Sequence, residues 1–277
     1  MTKLIHLTQY KLIELTGVDS EKFLQGQLTC DVTKLKTGDS TLTAHCDPKG
    51  KVSSVFRLIR VAQEQFYLLF RTDLLPAGLD QLKKYAVFSK VAFAEPEVQL
   101  AGVIGENCGQ FSASFVVNSG NAAILINPAE RLEFNASAEA WDCVEIQRGY
   151  PILSAKTQNE FIPQALNLQC IEQAVSFQKG CYIGQETVAR AKYRGTNKRA
   201  MFIFKARSQI IPEIGGEIEM RLENGWRKTG VILSAVNFGE VLWLQVVLNN
   251  RLEDGQQFRL PADETALELY PLPYELV

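Results

Sequence analysis

Hydrophobic and polar positions along this chain change places in short bursts, and most of the bursts have the period of a strand. Residues 10–16, YKLIELT, read as a strand closed by Gly17. Asp19 then stands where an N-cap belongs, ahead of SEKFLQGQLT, a short helix with Phe23, Leu24 and Leu28 on one side. Residues 40–61 read as strand, turn, strand. Asp47-Pro48-Lys49-Gly50 makes the turn, because proline fixes φ and glycine admits positive φ. QFYLLF (65–70) is a third strand. Residues 73–86 follow a helical pattern, with Leu79, Leu82 and Ala86 inward and Pro76 in the first turn. SKVAFAEP returns as a strand. From 98 to 146, VQLAGVIG, AAILI and CVEIQRG read as further strands, with short helices between them.

Strand–strand–helix–strand is an α+β rhythm, close to a ferredoxin-like half. The character changes near residue 200. MFIFKA, GEIEMRL, WRKTGVILSAV, EVLWLQVVL and QFRL are short strands broken by turn residues such as Asn224-Gly225. That density predicts an all-β barrel or sandwich. The expected division is residues 1–196, two interleaved α+β subdomains, and residues 197–277, a β-barrel domain.

Composition narrows the class. The chain has 277 residues, 46% of them hydrophobic and 22% charged, enough for a substantial core. The net charge of -2 gives no global field toward nucleic acid or membrane, although a local basic patch is compatible with it. No apolar stretch approaches the roughly 20 residues of a membrane helix, and the N-terminus lacks the pattern of a secretion signal. A soluble cytoplasmic protein without a membrane partner is expected. Six cysteines form no C-x-x-C pair and only His6 and His45 accompany them, so neither a preformed metal site nor disulfides are expected.

The candidate chemistry centres on KGCYIGQETVAR (179–190). Gly180 and Gly184 bracket Cys181, Tyr182 and Ile183, and ETVARAKY has helical propensity. Cys181 thus falls just ahead of a helix N-terminus, with Lys179 nearby, and both would favour thiolate. The same letters also describe a tight loop packed by a small residue. AKYRGTNKR holds Lys192, Arg194, Lys198 and Arg199 around Tyr193, a pattern suited to phosphate, a polyanionic tail or RNA, or to a solvated loop. Tyr10 and Trp141 are candidate stacking surfaces for a flat heteroaromatic ligand, and equally candidate core residues. Asp47, Lys49 and Arg57 read as turn and surface residues. There is no G-x-S-x-G, P-loop, Rossmann fingerprint or H-E-x-x-H.

K-G-C-Y-x-G-Q-E, with Lys179, Gly180, Cys181, Tyr182, Gly184, Gln185 and Glu186, resembles the signature of the YgfZ family. These are folate-binding proteins related to the T-protein, the aminomethyltransferase of glycine cleavage. LTGVDSEKFLQGQLTCDV (15–32), AHCDPKGK (44–51), LKKYAVFSKV (82–91), FIPQALNLQ (161–169), ARAKYRGTNKRA (189–200) and PLPYEL (271–276) extend the resemblance across nearly the whole chain. It implies three domains around a central groove that takes tetrahydrofolate or another reduced folate. It also implies partnership with iron–sulfur enzymes such as a tRNA methylthiotransferase, without requiring direct tRNA contact. The family's functional cysteine maps onto Cys181, and its aromatic folate contacts map onto Tyr10, where tryptophan is expected, and Trp141. T-proteins carry aspartate where Cys181 stands. They use another aspartate soon after an early strand, where this chain has Asp73 and Asp80, neither of which is assigned that role. A tetrahydrofolate-dependent one-carbon transferase is therefore the alternative activity.

Overall fold

The computed structural model describes residues 2–106 and 108–276. Three antiparallel sheets organise them. The first has the spatial order Ser40–Cys46, Val52–Ala62, Gln65–Arg71, Tyr10–Thr16 and Ala92–Ala94. Period two sorts its side chains. Ile13, Leu15, Phe56, Leu58, Phe66, Leu68 and Phe70 face one core, closed by helices α1 (Ser20–Gln27) and α2 (Leu75–Tyr85). Tyr10, Leu12, Ile59 and Leu69 face a second core. The opposite wall of that core is the second sheet, ordered Lys3–His6, Leu100–Ile104, Ala122–Pro128 and Ala113–Ser119, together with α3 (Ala138–Gln147).

The third sheet has seven strands in the order Gly225–Thr229, Ile218–Leu222, Phe258–Arg259, Ala266–Tyr270, Arg199–Ala206, Val241–Asn249 and Val231–Phe238. Ile232 exchanges backbone hydrogen bonds of 2.8 Å with Gly215 and Gly216, which joins the last strand to the segment leading into Ile218. The sheet closes on itself around Phe204, Ile218, Leu244, Val246 and Phe258.

Several local expectations give way. CVEIQRG lies in α3 and just beyond it, and is no strand. Ala140, Trp141, Cys143 and Ile146 are the buried positions of α3, a helical spacing that four alternating letters conceal. The interval before Ala122 holds the strand Ala113–Ser119 and one 3-10 turn where short helices were expected. Lys3–His6 and Ala266–Tyr270 are additional strands. WRKTGVILSAV is two strands, divided at Gly230 with φ 63°, where a Cβ would stand 2.4 Å from Leu248. Asp19 precedes α1, but its carboxylate caps nothing there. It accepts from the Lys90 amide at 2.7 Å and ties the helix to the strand that follows α2. Leu79 and Ala86 pack inward against the first core as expected.

Candidate functional site

Residues 174–184 form the loop that carries Cys181, and it is fastened along its length to two earlier segments. On one side lies the end of α1. The Ser176 amide donates to the Thr29 carbonyl at 2.8 Å, the Thr29 hydroxyl donates to the Ala174 carbonyl at 2.7 Å, and the Ile183 amide donates to the Gly26 carbonyl at 3.3 Å. The Lys179 amine is buried among these groups and donates to the carbonyls of Leu28 and Cys30, each at 2.7 Å. Burial lowers its pKa to about 8. The Tyr182 ring lies beneath it at 5.0 Å, itself buried.

On the other side lies the Asp47–Gly50 turn. The Asp47 carboxylate accepts from the amides of Lys49 and Lys51 at 2.8 Å and stiffens that turn. Gly184, with φ 79°, precedes α4 (Gln185–Tyr193). A Cβ on Gly184 would stand 2.5 Å from the Asp47 carbonyl and 2.8 Å from the Gly50 Cα. A Cβ on Gly50 would stand 2.7 Å from Thr187. Backbone meets backbone here, and only glycine at both positions permits it.

Cys181 is exposed on this framework, whereas Cys30, Cys46, Cys108 and Cys143 are buried. Burial pushes the Cys30 and Cys143 thiols up to about 11 and Cys46 higher still. Two details of the local reading change. Lys179, expected as a charge partner for the thiol, spends its amine on two backbone carbonyls. Gly180 does not need to be glycine, because its φ is not positive and a Cβ there would meet open space. Gln185 opens α4, and Glu186 pairs on the surface with Arg190. Lys192, in the last turn of α4, and Arg194, Lys198 and Arg199 beyond the helix are all exposed, with the Lys192 amine 4.0 Å from the centre of the Phe177 ring.

Tyr10 and Trp141 are placed apart from the cysteine loop, in the core between the first two sheets. Trp141 is 3% exposed and lies on Gly102, where any Cβ would be 2.6 Å from its ring. The Tyr10 hydroxyl donates to Glu145 at 2.5 Å, and Arg71 lies over its ring at 5.2 Å. Burial, and then the Glu145 charge, hold the phenol well above its ordinary pKa, so it remains a donor. Arg71 also grips Asp142 through two bonds of 3.0 Å.

The sequence neighbours of the two aromatics, Gln9 and Asp142, line a cavity of about 240 Å³ with Arg71, Asp73 and Ser154. Its apolar walls include Ile146, Leu153, Leu233 and Val236, so it lies where the first sheet, α3 and the barrel meet. Gln9 Oε1 and Ser154 Oγ are buried there without hydrogen-bond partners. Gln9, Arg71, Asp142 and Glu145 escaped the sequence reading. The available signal was their adjacency to Tyr10 and Trp141, and an arginine ending the apolar run QFYLLFR. Among the described residues, no three His, Cys, Asp or Glu side chains are grouped to hold a metal ion.

The fold matches that of the glycine cleavage system aminomethyltransferase T from Bartonella henselae, with a TM-score of 0.69 over 99% of this chain and 86% of that one. Sequence identity is 14%, so the likeness defines the class of fold, that of an aminomethyltransferase T-protein. Within that class, a family model described as the YgfZ β-barrel domain matches residues 197–264. The tRNA-modifying protein YgfZ of Photorhabdus laumondii is 40% identical, over 99% of this chain and 92% of the relative. An uncharacterized protein of Haemophilus influenzae is 60% identical over 100% of this chain and 99% of its own. The chain belongs to the YgfZ family.

Proposed function

We propose that this protein is a folate-binding accessory factor that supports the assembly or repair of iron–sulfur enzymes, including one that methylthiolates tRNA, with Cys181 as its essential thiol. One observation carries the reading. The single exposed cysteine among the described residues stands on a loop held by a buried lysine and a glycine–glycine contact. A thiol needed only for packing would be inside, as Cys30 and Cys46 are. The relative named as a tRNA-modifying protein supports the tRNA connection.

The cavity beside Asp142 suits a reduced pterin. Its aliphatic walls would flank the ring, and the unpartnered Gln9 Oε1 and Ser154 Oγ would meet its amine and amide edge. Asp142, fixed by Arg71 and by the Gln9 amide at 3.2 Å, would hold Gln9 in place. Tyr10 and Trp141 then stand one layer behind, as supports. A reduced folate bound there would supply carriage of a one-carbon unit. The exposed Cys181 would act on a damaged adduct or on a partner's cluster.

The test has two arms. Cys181→Ala, expressed in a strain lacking the protein, is expected to leave iron–sulfur enzyme activity unrestored, and full rescue removes the thiol role. Calorimetric titration with tetrahydrofolate is expected to show at least tenfold weaker binding for Ser154→Ala. Binding unchanged in that variant removes the cavity. A one-carbon transferase is the second reading, favoured by Asp73 lining the same cavity. Turnover of an aminomethyl donor that Asp73→Asn abolishes would establish it.

A further inference from the structure

A cavity of about 680 Å³ lies against the last turn of α4, beside Ala191 and Lys192, and plays no part in the folate reading. Its wall brings together segments distant in sequence: Gln164 and Gln169 from the FIPQALNLQ turn, Phe177 from the cysteine loop, Lys192 and Lys198 from the basic stretch, and Arg251 from the end of a barrel strand. The Asn250 amide donates to the Lys198 carbonyl at 2.9 Å, which fixes the two rims to each other. Among the described residues, no acidic side chain lines it.

Gln164 is 5% exposed. Its Nε2 donates to the Val188 carbonyl at 2.7 Å, which settles which end of the amide is the oxygen, and Oε1 is left buried without a partner. Gln169 Oε1 is buried and unpartnered as well. The cavity thus presents buried acceptors within, an aromatic side chain in its wall, and three cations among its lining. Acceptors call for N–H donors, and cations call for phosphate. A nucleotide carries both groups on one molecule, and an amide oxygen such as that of Gln accepts from the amino edge of a base such as adenine.

We propose that this cavity binds a nucleotide, with the amino edge of the base on Gln164 and the phosphate on Lys192, Lys198 and Arg251. The nucleotide is either free or one residue of an RNA strand. The site is independent of the folate cavity and of Cys181.

The experiment titrates the full chain with unmodified tRNA, with adenosine and guanosine monophosphates, and with inorganic phosphate, at two salt concentrations. Lys198→Ala/Arg251→Ala removes two exposed side chains and leaves the fold intact. It is expected to weaken binding at least tenfold and to flatten the salt dependence for tRNA by roughly 0.7 in log–log slope, the amount for the one phosphate no longer neutralised. Gln164→Met is expected to weaken nucleotide binding while leaving that slope unchanged. Binding of mononucleotides identifies a free nucleotide, and binding of tRNA alone identifies a strand. The proposal is overturned if neither ligand binds, if the double variant binds as the parent does, if inorganic phosphate competes as well as a nucleotide, or if tetrahydrofolate displaces the nucleotide. Cys181→Ala and Ser154→Ala serve as controls whose binding here is unchanged, so failure of this site and failure of the folate reading are told apart.

Discussion

His45 is 1% exposed, its Nδ1 is 2.8 Å from the Ser53 hydroxyl, and its Nε2 has no partner. Burial lowers its pKa to about 4 from an ordinary 6.5, against a smaller opposing pull from Asp47. Between those values the unfolded chain holds a proton that the folded one refuses. Stability is therefore complete above pH 6.5 and falls as pH falls toward 4, by about 3 kcal/mol for this group. Urea unfolding at pH 7 and pH 4 is expected to show that loss, and His45→Gln to reduce it. Single residues were legible where their role is local. The prominence of Cys181 could be read because a glycine, a helix start and the family octet adjoin it. Lys179 could not be read correctly, because its partners, Leu28 and Cys30, are far away in sequence and are backbone atoms that carry no residue-type signal.

At the scale of elements, glycines divide into those the geometry requires and those it does not. Gly184→Ala would drive a methyl into the Asp47 carbonyl from a positive φ, and is expected to destabilise by roughly 2 to 4 kcal/mol. Gly180→Ala, in the same octet, is expected to change stability by no more than about 0.5 kcal/mol. Thermal melting of the two variants checks the contrast. Strands were legible where a short apolar run is bounded by turn residues, as with QFYLLF and EVLWLQVVL, because a run of that length suits a buried strand. CVEIQRG was not, because a helix declares itself over ten residues and the run before it, SAEAWD, gives its start away only once Ser137 is seen at the cap position. The Tyr10–Arg71–Glu145 cluster was hidden for another reason. Tyr10 and Arg71 are register partners across two strands, and pairing of that kind is a property of the sheet.

For the molecule as a whole, polar side chains join the barrel and the C-terminal segment to the stretch that follows α3. Gln245, on a barrel strand, is fully buried. Its Nε2 donates to the Tyr150 carbonyl at 2.7 Å, and its Oε1 accepts from the Ile152 amide and the Ser234 hydroxyl at 2.9 Å. Gln245→Leu strands these groups and is expected to destabilise by about 2 to 4 kcal/mol. Hydrogen exchange should locate the damage, with protection lost at Ile152 and kept along Val241–Asn249. The Tyr274 hydroxyl, near the end of the chain, donates to the Gly149 carbonyl at 2.8 Å and binds the tail to the same junction. That junction holds the cavity beside Asp142, so a change in the barrel would reach it through Leu233 and Val236. The C-terminal barrel was legible from strand density and the α+β region from its strand–helix order, whereas the three-domain arrangement came from the family resemblance. The cavities were not, since each draws its lining from several separate segments.

The meeting of Gly50 with Gly184 also bears on the order in which the protein is made. The hairpin turn at Asp47–Gly50 is synthesised long before the cysteine loop, and so is the end of α1 on which Lys179 closes. A nascent chain can complete both surfaces before Cys181 has emerged. The loop then has a finished template to settle on, and a chain whose early hairpin has failed to form has no surface on which to display its thiol.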